Sequence, residues 1–285
     1  MHAQDLVGQT HVITGASDGI GAVAAKTLSQ RGAKVVVVGR SPEKTRAVAQ
    51  AAGGDPLICD FAHLDQVHQL AQSLLAHYPH IDVLVNNAGL IWGNQRTVTP
   101  DGHEMTFQVN HLAPFLLTNL LKNRLLESKA RIINTSSIGN LMGKVNLADL
   151  QHEKHYQAFR VYGTTKLQNI LFTTELAKRW GQQGIQTAAF HPGPVATQFG
   201  NQGSAGVRLL YHTPLKNLLL ISPEKGADTL IWLASSEPGK DWRSGSYYVK
   251  RKLGKVNKQV HDPQLAAGLW ERSLELVKSY LNLAN

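Results

Sequence analysis

Seven short apolar runs, at about residues 11–14, 34–38, 56–59, 81–86, 131–135, 186–191 and 246–249, alternate with helical stretches along the chain. This alternation limits the possible folds more than any other feature, because a strand that is apolar on both sides must be covered on both sides. It predicts an α/β architecture, with a parallel sheet of about seven strands between two helical layers. At 285 residues, 42% of them hydrophobic, the chain can bury one sizeable core, and residues 1–285 are expected to form a single domain. Helix starts are marked at Ser41-Pro42-Glu43 and Ser222-Pro223-Glu224, each an N-cap, a proline at the first helical position and an acid in the first turn. A closing helix is expected over about 263–282.

The first apolar run, His11-Val12-Ile13-Thr14, leads directly into Thr14-Gly15-Ala16-Ser17-Asp18-Gly19-Ile20-Gly21, and Ala22 to Leu28 then read as a helix. Strand, glycine turn and helix together form an arrangement in which backbone N–H groups and a helix N-terminus meet a pyrophosphate, with glycine wherever a side chain would block the approach. The spacing is Gly-x-x-x-Gly-x-Gly, which the usual Gly-x-Gly-x-x-Gly fingerprint does not cover. Far downstream, Tyr162 and Lys166 stand four apart and share one helical face, and the pair Ser136-Ser137 precedes them. A tyrosine acting as acid or base at neutral pH needs its pKa lowered by roughly 3 units, about 4 kcal/mol. A neighbouring ammonium in a partly desolvated cleft is a source of that energy.

With these elements in this order the chain resembles the short-chain dehydrogenase/reductase family over nearly its whole length. The turn around Gly15, Ser17, Asp18, Gly19, Ile20 and Gly21 is similar to the family's cofactor motif, and Asn86-Asn87-Ala88-Gly89 to its Asn-Asn-Ala-Gly element. Asn110, Ser137, Tyr162 and Lys166 match its catalytic residues. Pro192-Gly193 matches the pair that borders the nicotinamide, followed by Val195 and by Thr197, which matches a threonine that contacts it. The long interval between Ser137 and Tyr162, with Asp149-Leu150-Gln151 and Glu153-Lys154, resembles the retinol-dehydrogenase-like branch, as do Lys166 to Phe172 and Leu269-Trp270-Glu271-Arg272-Ser273. The resemblance implies a Rossmann-type doubly wound sheet, a nicotinamide cofactor bound by Asn87, Ala88, Gly89, Tyr162 and Lys166 as well as the glycine turn, and a homo-oligomer formed through the tyrosine/lysine helix.

The choice of nicotinamide is expected at the end of the second strand. Gly39 occupies the position where NAD-dependent relatives place an acid, and Arg40 follows with a guanidinium suited to a 2′-phosphate, with Ser41 and Lys44 as further donors. NADP(H) is therefore expected, although Asp18 stands where many NADP-preferring relatives carry a basic residue. Asp60, after the third strand, resembles the acid that contacts the adenine ring, and also reads as a loop-capping aspartate.

The formal charge of +9 and the cluster Lys250, Arg251, Lys252, Lys255 and Lys258 invite an anionic partner. The simplest reading of the cluster is a solvated loop; an acidic substrate, partner or membrane surface is the alternative. Nucleic acid is not expected, because no stacking aromatics or known module accompany the charge. No integral membrane segment is expected, since no run of about 18 apolar residues occurs. The polar lead before the first strand leaves no room for a signal sequence, so a cytoplasmic protein is expected. The single Cys59 allows no internal disulfide, and the pairs His77/His80 and His152/His155 lack the third ligand a zinc site needs, so no metal is expected.

By this reading hydride passes between nicotinamide C4 and a carbonyl carbon, Tyr162 exchanges the proton, Ser137 holds the substrate oxygen, and Asn110 positions a water. Either serine of the pair could face the site, since strand neighbours alternate; Ser137 is chosen by its place in the family pattern. The segment of about 195–221 is leucine-rich and interrupted by glycines, as a lid over a lipophilic aldehyde, ketone or alcohol would be, or as a helix packed onto the body or into a dimer contact would be; Trp92 with its loop could form a second wall. A non-catalytic NADP-binding sensor and a reductase of a conjugated double bond are the rival readings.

Overall fold

The computed structural model describes residues 5–194 and 221–283. The strands are β1 (Thr10–Thr14), β2 (Lys34–Gly39), β3 (Asp55–Ile58), β4 (Val83–Asn86), β5 (Arg131–Thr135), β6 (Gln186–His191), β7 (Ser246–Val249) and β8 (Lys252–Leu253). They form one sheet in the order β3-β2-β1-β4-β5-β6-β7-β8. All neighbours are parallel except β7 and β8. The seven expected runs are thus joined by an eighth, two-residue strand inside the basic cluster that had read as a loop. β3 begins at Asp55, and Pro56 is tolerated because β3 is an edge.

Alternation along each strand builds two cores. Val12, Val36, Val38, Leu84 and Ile132 face one layer, while their neighbours Ile13, Val35, Val37, Val85 and Ile133 face the other. The second layer holds α1 (Gly19–Gln30), α2 (Pro42–Ala52) and α7 (Pro223–Ser235). The first holds α3 (Leu64–His77), α4 (Ala113–Leu120), α5 (Lys122–Glu127), α6 (Ala158–Trp180) and α8 (Pro263–Asn282). Ser41 and Ser222 cap α2 and α7 by accepting from the N–H groups of Lys44 and Lys225, with Pro42 and Pro223 in the first turn.

Helix α6 carries Tyr162 and Lys166, and its residues 163–173 are buried on every side. Leu167, Ile170, Leu171 and Leu176 all pack within this chain. Part of the cover is α8, whose Trp270 meets Phe115, Phe172 and Trp180 with ring centroids 5.0, 5.8 and 5.7 Å away, while its Glu271 pairs with Arg179 at 2.8 Å. One face of α6 is therefore occupied by the chain's own last helix. Among the described residues no helix is long and apolar enough to cross a membrane.

Candidate active site

The strand order reverses between β1 and β4, and in such sheets the crevice opens at the carboxyl ends of the strands beside that reversal. Thr14 ends β1 there. Its hydroxyl donates to the Val85 carbonyl at 3.1 Å and accepts from the N–H groups of Asn87 and Ala88 at 3.0 and 3.1 Å. The Asn87 Nδ2 donates to the carbonyls of Thr14 and Gly15, both at 3.1 Å, and its Oδ1 accepts from Thr135 Oγ1 at 3.1 Å. Glycine turn, Asn-Asn-Ala-Gly turn and the end of β5 are thereby one frame.

This frame explains two glycines differently from the ligand-approach argument. Gly15 has φ 63°, and a Cβ there would lie 2.7 Å from the Ala88 Cα; at Gly21 it would lie 2.6 Å from the Gly15 carbonyl oxygen. Both are required by contacts inside the protein. Gly19, at φ 57°, opens α1, whose first turn carries no acid, and buried Ile20 follows. Asp18 caps α1 by accepting from the Gly19 N–H at 2.7 Å, and Lys44 Nζ stands 3.7 Å from its other carboxylate oxygen. Bare backbone at a helix N-terminus is a fitting seat for a dinucleotide's phosphates.

At the end of β2 a Cβ on Gly39 would lie 2.5 Å from Thr45 Oγ1 and 2.7 Å from Ser17 Cβ, so an acid has no room there. Arg40 is exposed and makes no hydrogen bond or ion pair among the described residues. Asp60 caps its own loop, with Oδ1 accepting from the Ala62 N–H at 3.0 Å.

Asn110 is fully buried in a π-helical turn, Gln108–Leu112, that leads into α4. Residue 114 is proline and has no N–H to offer the Asn110 carbonyl, which breaks the regular i+4 ladder at this point. The side-chain amide is fully engaged: Oδ1 accepts from the Leu90 N–H at 2.8 Å, and Nδ2 donates to the Leu90 carbonyl at 2.9 Å and to Thr165 Oγ1 at 3.0 Å.

The two serines after β5 separate cleanly. Ser136 donates its hydroxyl to the Lys166 carbonyl at 2.7 Å, inside α6. Ser137 caps the 3₁₀ turn Ile138–Met142, and a Cβ built on Gly139 would stand 3.5 Å both from Ser137 Oγ and from the Tyr162 ring edge. Ser137 Oγ and the Tyr162 ring edge therefore both border the bare backbone of Gly139. Lys166 is only 2% exposed; its Nζ donates to the Thr135 carbonyl at 3.1 Å and lies 5.5 Å from the Tyr162 ring centroid. Burial lowers its pKa to about 7. A Cβ on Gly89 would be 3.2 Å from both Lys166 Nζ and Asn110 Oδ1, so bare backbone faces these two groups. Asn110, Ser137, Tyr162, Lys166 and Gly89 are thus neighbours.

Pro192 and Gly193 follow β6 at the same end of the sheet, with Gly193 at φ 91° against Ile221. Val195, Thr197 and the expected lid to residue 220 lie outside the described residues. Trp92 is tied by its Nε1 to Thr97 Oγ1 at 3.0 Å. The long interval before Tyr162 forms a belt: Tyr156 donates to the Gly93 carbonyl at 3.3 Å, the Gln151 carbonyl accepts from Arg96 at 3.0 Å, and Val145 and Gln259 exchange two bonds at 2.9 and 3.0 Å. A groove of about 240 Å³ runs between this belt and α8, away from the residues above.

Several residues around the site went unnoticed in the sequence. The Thr135 carbonyl accepts from both Lys166 and Asn169, and Asn140 bridges the Ser137 carbonyl to the Asn257 N–H at 2.8 and 3.0 Å. Tyr247 packs on Ile170 and Ala189, with burial and then Tyr162 raising its pKa. His191 sits just before Pro192, its pKa lowered to about 4 by burial. Only the polar character of these positions in an apolar run could have marked them. Among the described residues no three His, Cys, Asp or Glu side chains gather as a metal site.

A family model described as "short chain dehydrogenase" matches residues 9–207. A protein from Streptomyces sp. strain C5 named as a daunorubicin C-13 ketoreductase is 44% identical over 95% of this chain and 93% of its own length. Mouse retinol dehydrogenase 11 is 38% identical, over 95% of this chain and 87% of that protein. Among solved structures, a metagenomic short-chain oxidoreductase in complex with NADP is 28% identical with a TM-score of 0.63, covering 86% of this chain and 97% of that one.

Proposed function

Because the chain belongs to the short-chain dehydrogenase/reductase family, in its retinol-dehydrogenase-like branch, and is an oxidoreductase of keto and alcohol groups, we propose that it uses NADP(H) on a lipophilic aldehyde, ketone or the corresponding alcohol. The observation that carries this reading is the grouping of Ser137 and Tyr162 about Gly139, with the buried Lys166 Nζ 5.5 Å from the Tyr162 ring centroid and beside Gly89. A bound nicotinamide supplies or takes the hydride. Ser137 holds the substrate oxygen, and Tyr162 donates or accepts its proton. Lys166, brought to a pKa of about 7 by burial, becomes a full ammonium when a negative charge is placed near it, and then favours the Tyr162 phenolate. The Asn110 amide is spent on Leu90 and Thr165, so its water-positioning role falls to its main-chain carbonyl.

Support for NADP(H) comes from the closed space at Gly39, the exposed Arg40 and the nearby Lys44. A keto group on a bulky, lipophilic molecule is the substrate class suggested by the names of the ketoreductase and retinol dehydrogenase relatives. We also propose a cytoplasmic setting. A homo-oligomer, proposed from the family resemblance, would have to use a surface other than the α6 face that α8 covers, and light scattering tests it.

The experiment is oxidation of NADPH and, separately, NADH in the presence of lipophilic aldehydes and ketones, with Tyr162→Phe as control. Turnover with NADPH that falls at least about a hundredfold in the variant is expected. Tight NADPH binding without turnover on any compound would sink the reading in favour of a sensor.

A further inference from the structure

The outer face of the 3₁₀ turn Ile138–Met142 is apolar and open: Ile138 is 59% and Met142 63% exposed, with Leu141 beside them. The turn cannot bury this face on α6, because Gly139 and Gly143 already meet Gly163 there, with a Gly139 carbonyl only 2.6 Å from where a Gly163 Cβ would stand. Phe159, exposed and one turn before Gly163 on the same helical face, extends the ledge. On the other side Asn257 donates to the carbonyls of Asn140 and Gly143 at 3.1 and 2.9 Å, which ties the strap running back to β8 against the turn. That strap carries Leu253, 70% exposed. Half of the exposed large apolar residues among those described thus belong to one edge of the molecule.

The same edge is cationic. Lys144 follows the turn, Arg160 sits beside Phe159, and Lys250, Arg251, Lys252, Lys255 and Lys258 lie along the hairpin and strap. All seven are exposed, and neither 138–145 nor 246–261 contains an acid. Arg251 pairs with Asp228, whereas the four lysines of the hairpin and strap have no acidic partner among the described residues. At the hairpin turn Lys250 and Arg251 take φ of 51° and 60°, a conformation that glycine or asparagine adopts more easily. Long cations thus stand where the backbone favours other residues.

Exposed apolar side chains rimmed by lysines match a surface that is hydrocarbon within and negative at its headgroups. We propose that this ledge docks the protein peripherally on an anionic lipid bilayer. The turn begins at Ser137 and lies across Gly139 from Tyr162, so docking sets the mouth of the cleft against the bilayer, where a lipophilic molecule can pass between them without crossing water. The docking itself does not depend on the substrate reading.

The test is co-sedimentation of the full chain with phosphatidylcholine vesicles, either pure or containing about a third phosphatidylglycerol, at low and high salt. The wild type is expected to bind the anionic vesicles, to release at high salt, and to ignore the neutral ones. Each lysine near such a surface contributes about fivefold, so Lys252→Glu with Lys255→Glu should weaken binding more than about tenfold. Leu253→Ser should weaken it without altering the salt dependence, and reduction of a small water-soluble ketone should stay within about twofold in both variants. Circular dichroism establishes that the variants fold. Failure of the wild type to bind anionic vesicles at low salt, or equal binding by the charge-reversed variant, overturns the proposal. So does a wild-type mass by light scattering of two chains that Leu253→Ser returns to one, with no vesicle binding; the ledge would then be a contact between copies.

Discussion

The two ends of the cleft are built to different standards. Around Lys166 the polar groups are buried and several are tied within the chain: Asn110 makes three side-chain bonds, and Thr135 receives Lys166 and Asn169 on one carbonyl. Around Asp18 the charges are exposed, and what joins them is an ion pair of 3.7 Å, a contact worth little in water. The first end is preorganised by folding, so its chemistry is tied to stability; the second is held loosely and can be exchanged. Substitutions at the catalytic end should therefore give large, cofactor-independent losses, and those at the other end small, cofactor-specific ones.

The sharpest contrast within the catalytic end is between its two serines. Ser137→Ala removes the hydroxyl that borders Gly139 together with Tyr162, and kcat is expected to fall about a hundredfold or more with the KM for NADPH unchanged. Ser136→Ala removes a bond to the Lys166 carbonyl and should lower stability by about 1 kcal/mol while kcat stays within about threefold. Steady-state kinetics with thermal melts distinguish the two. A larger kcat loss at Ser136 would mean that the strand end is turned over when substrate is bound.

Lys166 links catalysis to stability through pH. Its ordinary value of 10.5 falls to about 7 in the folded chain, so between those limits the unfolded chain carries a proton that the native one does not. Stability from this group therefore rises with pH across that window, is complete above 10.5, and is lost by pH 7. Denaturant midpoints from pH 7 to 10 should climb in the wild type by an amount corresponding to a few kcal/mol, and the climb should flatten in Lys166→Met. An unchanged slope in the variant would mean that Lys166 is solvated in solution and that the catalytic end is less tightly built than the contrast requires.

Legibility in the sequence follows the same division. Tyr162 and Lys166 could be read because a four-residue helical spacing fixes their relation whatever surrounds them. The parallel sheet between two helical layers could be read because apolar strands with helical crossovers leave few arrangements. Strand alternation alone could not decide between Ser136 and Ser137, since the answer depends on where α6 presents the Lys166 carbonyl. Nor could it expose the hub at Thr135 or the cover α8 lays on α6, which join residues far apart in the chain. Gly15 and Gly21 were singled out for ligand approach alone, because turn spacing carries no information about their contacts with Ala88 and the Gly15 carbonyl. The belt between Ser137 and Tyr162 marked the branch, yet its bonds to Gly93 and Gln259 have no local signature.

At the exposed end, Arg40→Ala should raise the KM for NADPH about tenfold, the loss of one charge-assisted contact, while the KM for NADH barely changes. Equal losses with both cofactors would place Arg40 on something other than the 2′-phosphate.

The smallest expected effect isolates the anomaly in the glycine turn. Asp18 is an acid close to where a 2′-phosphate would sit, but it also caps α1 and stands beside Lys44. Asp18→Asn keeps the capping oxygen and removes only the charge, so stability should stay within about 0.5 kcal/mol. If Asp18 merely repels the phosphate, the variant's KM for NADPH falls two- to threefold, a size set by screening between exposed charges, and its KM for NADH is unaffected. If instead Asp18 holds Lys44 in place, the KM for NADPH rises. That outcome would make the exposed end an ordered device after all, and would break the contrast at its weakest point.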